Sequence, residues 1–200
     1  GAVAAALPGP LPAPLLILSA ALGGALVGLV VTTLNHSLKL PFLLAAILTN
    51  GLFHGITQYL LGTSLKSFAP PLPCSETLFF LLVALALTLA LFLLFRSPLG
   101  YSFAIYGHNP HFFDHHPISG RYVALSGVLI GHAFAGIGGL LFSLSNGLID
   151  LTMNHGIVLL CLTALLLGKL PLPRSRPSLL IPLAGLFAYF CLQQTLLHTG

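Results

Sequence analysis

Charge is what this sequence has least of. Seven Lys or Arg and three Asp or Glu make up 5% of its 200 residues, against about 25% in soluble domains. Ten charges cannot cover the surface of a soluble fold of this size. That excludes an ordinary cytosolic enzyme, a secreted disulfide scaffold and a disordered tail. Cysteine is also scarce: Cys74, Cys161 and Cys191 are odd in number and spaced for neither a metal nor a disulfide framework. Cys161 and Cys191 lie in apolar runs and read as small hydrophobes. No secretory leader is expected in these residues: no Met and no basic stretch precedes the first apolar segment. A phosphate loop of the form G-x-x-x-x-G-K-[ST] is missing too. Gly168-Lys169 is followed by Leu170 and lacks the upstream glycine. The chain is therefore not expected to hydrolyse ATP itself, and we assign it no catalytic residue, no cofactor and no metal. The net charge of +4 comes from scattered basic residues that make no patch for nucleic acid.

What is there is long hydrophobic runs. Charge-free windows run over 15–34, 40–62, 77–95, 122–149, 151–168 and 177–200. A membrane-spanning helix needs about 20 apolar residues. The fold class expected is an all-α membrane protein, a polytopic bundle of about six transmembrane helices. These fall at 15–35, 40–62, 77–95, 122–145, 155–170 and 179–197, in a single transmembrane domain over 1–200. Residues 1–7 read as the end of an earlier helix, and Pro8, Pro10, Pro12 and Pro14 break the chain at a membrane surface.

Lys and Arg set the orientation. Lys39, Arg96, Arg121, Lys169, Arg174 and Arg176 fall on one side and Lys66 alone on the other. By the positive-inside rule loops 35–39, 96–121 and 169–178 are cytoplasmic. Loops 63–76 and 146–154, with residues 1–14 and the C-terminus, face outward. Small residues suggest where helices touch: Ala20, Gly24, Gly28 and Thr32 on the first helix, and Gly127, Gly131, Ala135 and Gly139 on the fourth.

Polar groups inside the spans are the next signal. Asn50, His54, Thr57 and Gln58 are spaced i, i+4, i+7 and i+8 on the second helix and share one face. Such a face must meet protein or water rather than lipid. It reads either as part of a solute pathway or as an interhelical hydrogen-bond seam. His132 on the fourth helix is a further intramembrane polar group, a pathway residue or a packed, hydrogen-bonded one.

The longest cytoplasmic loop, 96–121, is too long for a tight turn and too apolar for a linker. Asn109-Pro110 can start a short helix, with Asn109 as cap and Pro110 at its first position. Gly107 is expected to supply a flexible or left-handed position before it. Phe112 and Phe113 follow as apolar anchors. A short amphipathic helix on the cytoplasmic surface is a docking element for a partner.

Here the sequence resembles a family. Gly107-His-Asn-Pro110 looks like the G-x-N-P core of the cytoplasmic loop in permeases of the branched-chain amino acid and ribose type of ABC importer. Arg96-Ser-Pro-Leu-Gly100 resembles the approach to that loop, and Ala135-Gly-Ile-Gly-Gly-Leu-Leu141 a segment that follows it. Residues 146–156 resemble the next outward loop, and Leu167-Gly168 the close of the next helix. Upstream, Leu38-Lys-Leu-Pro-Phe-Leu-Leu-Ala-Ala-Ile-Leu-Thr49 and Leu61-Gly62 resemble a subgroup linked to aromatic amino acid uptake. The collinear set covers residues 1 to 170.

The resemblance implies a permease subunit of an ATP-driven importer for a small solute, amino acids among the candidates, in the inner (cytoplasmic) membrane. It implies a second permease copy, two cytoplasmic ATP-binding cassette ATPase subunits and a substrate-binding protein as partners, besides the lipid bilayer. Tyr106, Gly107, Asn109, Pro110, Phe112 and Phe113 would make the ATPase-docking coupling helix. The sequence departs from the family's pattern in Phe113, in Pro117-Ile118, in His111, His115 and His116, and in lacking an N-terminal helix. Two other readings stay open. One is a degenerate, non-transporting membrane subunit. The other is a metal-dependent membrane enzyme of the histidine-box kind, in which His111 and His115, four apart, share a metal with His108 and His116. Against the enzyme stand the few histidines of the cytoplasmic side: His36, His108, His111, His115 and His116.

Overall fold

A computed structural model describes residues 12–62, 65–68, 75–115, 117–150, 157–170 and 180–199. It divides into two compact units, Gly1–Leu151 and Thr152–Gly200. Residues 1–11, Cys74, all of 151–156 and most of the 169–178 loop lie outside the described residues, and with them the expected helix end at 1–7.

The first unit holds α1 (Ala13–Ser37), α2 (Phe42–Leu61), β1 (Leu65–Ser67), α3 (Glu76–Arg96), α4 (Pro98–His108), a 3₁₀ helix (Pro110–His115), α5 (Gly120–Asn146) and β2 (Leu148–Asp150). The second holds α6 (Ile157–Lys169) and α7 (Leu180–Thr199). A helix stands at each of the six places where charge vanishes from the sequence. Among the described residues three helices, α1, α3 and α5, are long and apolar enough to cross a membrane.

Prolines open these helices where their missing N–H costs nothing. Pro12, extended at φ −62° and ψ 144°, precedes α1, and Pro14 sits in its first turn. Left-handed glycines close two of them: Gly62 at φ 67° ends α2 and Gly147 at φ 66° ends α5. Only glycine enters that region without a Cβ penalty. Each turns the chain directly toward a short strand, and β1 and β2 pair antiparallel with Lys66 opposite Ile149. The Phe68 N–H donates to the Gly147 carbonyl at 2.9 Å. The sequence reading has no strands in these loops. The pairing joins loops 63–76 and 146–154 at one end of the unit, the side both were expected to share.

The core is the contact between α1 and α5, which run antiparallel. A Cβ on Gly24 would overlap the His132 carbonyl, and one on Gly136 the Ala20 carbonyl. The helices meet backbone to backbone, which only glycine permits. The stripe Ala20, Gly24 and Gly28 lies at the contact as expected. On α5 the expected stripe is displaced by one position. The residues that face α1 are His132, Gly136 and Leu140, whereas Gly131 and Gly139 have open space where a Cβ would stand. Gly127 instead faces the Phe103 ring of α4. A one-residue step rotates a helix by about 100°, and glycine spacing alone does not say which of two adjacent stripes is used.

Leu16, Ala20, Leu61, Phe68, Leu140 and Ile149 close the strand end of the unit as one buried cluster. Leu61 ends α2 in that cluster, and Phe42 begins α2 just after α1 ends. α2 therefore runs back along α1 over the same depth. Hydroxyls in the helices bond to the carbonyl one turn back: Thr32 to Gly28 at 2.8 Å, Thr49 to Ala45 at 2.8 Å, Thr88 to Ala84 at 2.8 Å and Ser143 to Gly139 at 2.9 Å. This satisfies them where lipid offers no partner.

In the second unit α6 and α7 also pack through glycine. A Cβ on Gly168 would overlap the Ile181 carbonyl, and one on Gly185 the Ala164 carbonyl.

Candidate functional site

The segment 96–121 is more ordered than a loop. Ser97 caps α4, accepting from the Gly100 N–H at 3.4 Å, and Pro98 takes the first helical position. This is the signal used for Asn109-Pro110, one step earlier in the chain, and the sequence reading did not apply it there. Gly107 is a correction as well: it lies inside α4, not in a left-handed turn, and the glycines with positive φ among the described residues are Gly62 and Gly147.

Asn109 then leaves the helix in extended geometry, φ −149° and ψ 94°. Its side-chain oxygen accepts from the His111 N–H at 3.1 Å, and its carbonyl accepts from the Phe112 N–H at 3.2 Å. Pro110 opens the turn that follows, as its fixed φ and missing N–H favour. The result is a capped 3₁₀ helix of six residues.

That short helix separates the two phenylalanines. Phe113 is 6% exposed and Phe112 is 41% exposed. The Phe113 ring packs on Tyr106 with centroids 6.1 Å apart and meets Phe112 edge-on at 5.4 Å. A Cβ on Gly120 would come within 3.1 Å of the Tyr106 ring and 3.2 Å of Phe113. Tyr106, Phe113 and Gly120 thus pin the segment to the start of α5. Phe113 is a buried anchor within the chain, and Phe112, Gly107, His108 and Asn109 are what the segment shows outward.

His111 and Asp114 form an exposed pair at 3.0 Å, worth little in water. In a 3₁₀ helix residues i and i+3 share a face, so position 114 rather than 115 lies beside His111. His116 and the His115 side chain, which the metal reading also uses, lie outside the described residues. Among the described residues no three His, Cys, Asp or Glu side chains converge as a metal site.

The polar residues of the helices fall into two places. His132 Nδ1 lies 2.9 Å from the Val128 carbonyl. A carbonyl only accepts, so the ring nitrogen donates. The imidazole packs over Gly28, where a Cβ would come within 3.0 Å of it. Asn50, His54 and Gln58 are exposed along α2, and Thr57 is half-buried beside them. No side-chain hydrogen bond joins these four to other described residues. His132 faces α1; the α2 residues face away from the unit.

The helices, the glycine contacts and the capped segment at the basic end describe an all-α, multi-pass membrane protein. The chain matches the family of branched-chain amino acid transport system permease components over residues 1–198. It belongs to that family, and is a membrane transport permease subunit. No curated protein and no solved structure matches it. Permeases of such ABC-type systems generally work with an ATPase and a binding protein.

Proposed function

We propose that this chain is the permease subunit of an ATP-driven importer in the inner membrane, and that Pro110–His115 is its coupling helix. The observation that carries this reading is the separation of Phe112 from Phe113. A buried ring fixes a short capped helix to α5 while its neighbour, 41% exposed, lies at the surface, at the end of the unit that holds Lys39, Arg96 and Arg121. By the positive-inside rule that end is cytoplasmic. An exposed aromatic on a rigid support suits an interface anchor, here for an ATP-binding cassette subunit. Movement of the short helix would pass through Phe113 and Tyr106 to α4 and α5.

Asn50, His54, Thr57, Gln58 and His132 are the candidate pathway residues, with a binding protein delivering solute from outside. The solute is a small one, an amino acid by family likeness, and two permease copies assemble. The subgroup likeness points to aromatic amino acids.

The test is Phe112→Asp in the full chain, co-expressed with its ATPase. Membrane insertion should be unchanged, because the segment is not a span. Co-purification of the ATPase and solute uptake should be lost. Normal assembly and uptake by Phe112→Asp would reject the coupling role.

A further inference from the structure

We propose that Ser97 and Gly100 lock α3 and α4 into one rigid elbow, so that α3 is the spanning helix driven when the short helix at 110–115 is displaced. This deepens the coupling reading and rests on it, by naming the helix that receives the movement and the joint that delivers it.

A single residue, Ser97, stands between Arg96, the last of α3, and Pro98, the first of α4. Each hydrogen-bonding group of Ser97 is used at that joint. Its N–H donates to the Leu94 carbonyl at 3.0 Å, and its hydroxyl donates to the same carbonyl at 2.6 Å. The hydroxyl oxygen accepts from the Gly100 N–H at 3.4 Å, and the Ser97 carbonyl accepts from the Tyr101 N–H at 3.2 Å. Pro98 fixes its own φ and removes further freedom. Gly100 is the buried residue of α4. A Cβ there would overlap the Leu94 carbonyl and lie 2.7 Å from the Phe95 Cα. The two helix ends thus touch backbone to backbone and are bonded through one side chain. So close a contact passes displacement on rather than absorbing it.

The contact of α4 with α5 is of another kind. A Cβ on Gly127 would stand 3.5 Å from the Phe103 ring, an ordinary contact, and the Tyr106 ring lies beside Gly120. Rings resting on glycines leave a smooth surface, over which packed helices can slide in shear. α3 resists little. Its buried residue among the described ones is Phe79, near the end remote from the joint, where α1 has five and α5 four. At the far end of α4 a single residue again, Asn109, leads into the short helix, and its N–H donates to the Ile105 carbonyl at 2.8 Å. α4 is therefore tied without slack to α3 on one side and to the short helix on the other. Against α5 it is held by side chains.

Distances between pairs of spin labels test this in the full chain assembled with its ATPase, with and without ATP and vanadate. The background is Cys74→Ser, Cys161→Ala and Cys191→Ala. Leu26, Leu85, Leu89 and Tyr101 are exposed, and Gly131 and Gly139 face open space, so each accepts a label. The pair Leu85→Cys with Gly131→Cys spans α3 and α5, and its distance should shift by about 2 Å or more. Leu89→Cys with Tyr101→Cys lies within the elbow, and Leu26→Cys with Gly139→Cys spans α1 and α5; both distances should stay constant. Two glycines inserted between Ser97 and Pro98 should abolish the shift between positions 85 and 131. The ATPase should still co-purify, and the distance between positions 26 and 139 should be kept, which shows the fold intact. Ser97→Ala, the milder change, should reduce the shift in part. A shift within the elbow pair, or a shift between α3 and α5 that survives the glycine insertion, would overturn the elbow. So would a constant distance between α3 and α5 in the parent complex. If Phe112→Asp abolishes that complex, the constant distance leaves the coupling helix standing; an ATPase retained by Phe112→Asp rejects the coupling helix itself. The two readings therefore fail separately.

Discussion

Gly24 of α1 and Gly136 of α5 lie face to face, each so near the opposite helix that a Cβ would run into its backbone. Backbone cannot retreat as a flexible side chain does, so a larger residue must push the helices apart. Gly24→Val or Gly136→Val should lower stability by about 1–3 kcal/mol or more, as overpacked cores do. Gly139→Val, facing open space three residues on, should cost little. Thermal denaturation in detergent, followed by size-exclusion chromatography, measures the difference. Equal losses at Gly136 and Gly139 would contradict the register described above.

The capped segment should weaken in two distinct ways. Asn109→Ala removes the cap on the His111 N–H and should cost about 1 kcal/mol locally. Phe113→Ala removes a buried ring and should cost about 3 kcal/mol or more where the segment cannot collapse. Hydrogen exchange over 110–115 should rise in both, more in Phe113→Ala, with exchange at the centre of α5 unchanged. An exchange pattern in Phe113→Ala identical to the parent protein would show that the ring does not hold the segment.

Strands β1 and β2 should be joinable by a disulfide. Ser67 and Leu148 are Cα partners in the register. The double variant Ser67→Cys with Leu148→Cys, in a background without the native cysteines, should form an intramolecular bond under mild oxidation. Proteolysis in the α3–α4 region should then leave the two fragments linked until reduction. Failure to link them would mean that the two outward loops do not pair.

Orientation is tested by labelling. In intact cells Ser67→Cys, in the loop assigned outward, should react with a membrane-impermeant thiol reagent. His108→Cys should need a permeant one. The reverse pattern would invert the topology and move Phe112 to the side where no ATPase could reach it.

Much of this was legible before any coordinates. Charge is excluded locally wherever a helix is to enter lipid, so six helices could be placed by counting residues between charges. The Asn109-Pro110 start was legible for the same reason, because capping concerns two or three adjacent residues. The spacing of Asn50, His54, Thr57 and Gln58 showed their common face. α4 was missed through omission rather than principle, since Ser97-Pro98 carries the same signal.

Other features depend on residues far apart in the chain, and only the tertiary structure decided them. Glycine spacing offered two stripes on α5, and the choice of Gly136 over Gly139 was made by contact with Gly24, more than a hundred residues earlier. Phe112 and Phe113 are the same residue type side by side. Tyr106 and Gly120 determine which ring is buried, because they form the space that receives it. The pairing of Lys66 with Ile149 brings together two loops that no local pattern connects. Composition and helix position followed from what each stretch of chain must do in a bilayer. Register followed from which backbones could approach closely enough to touch.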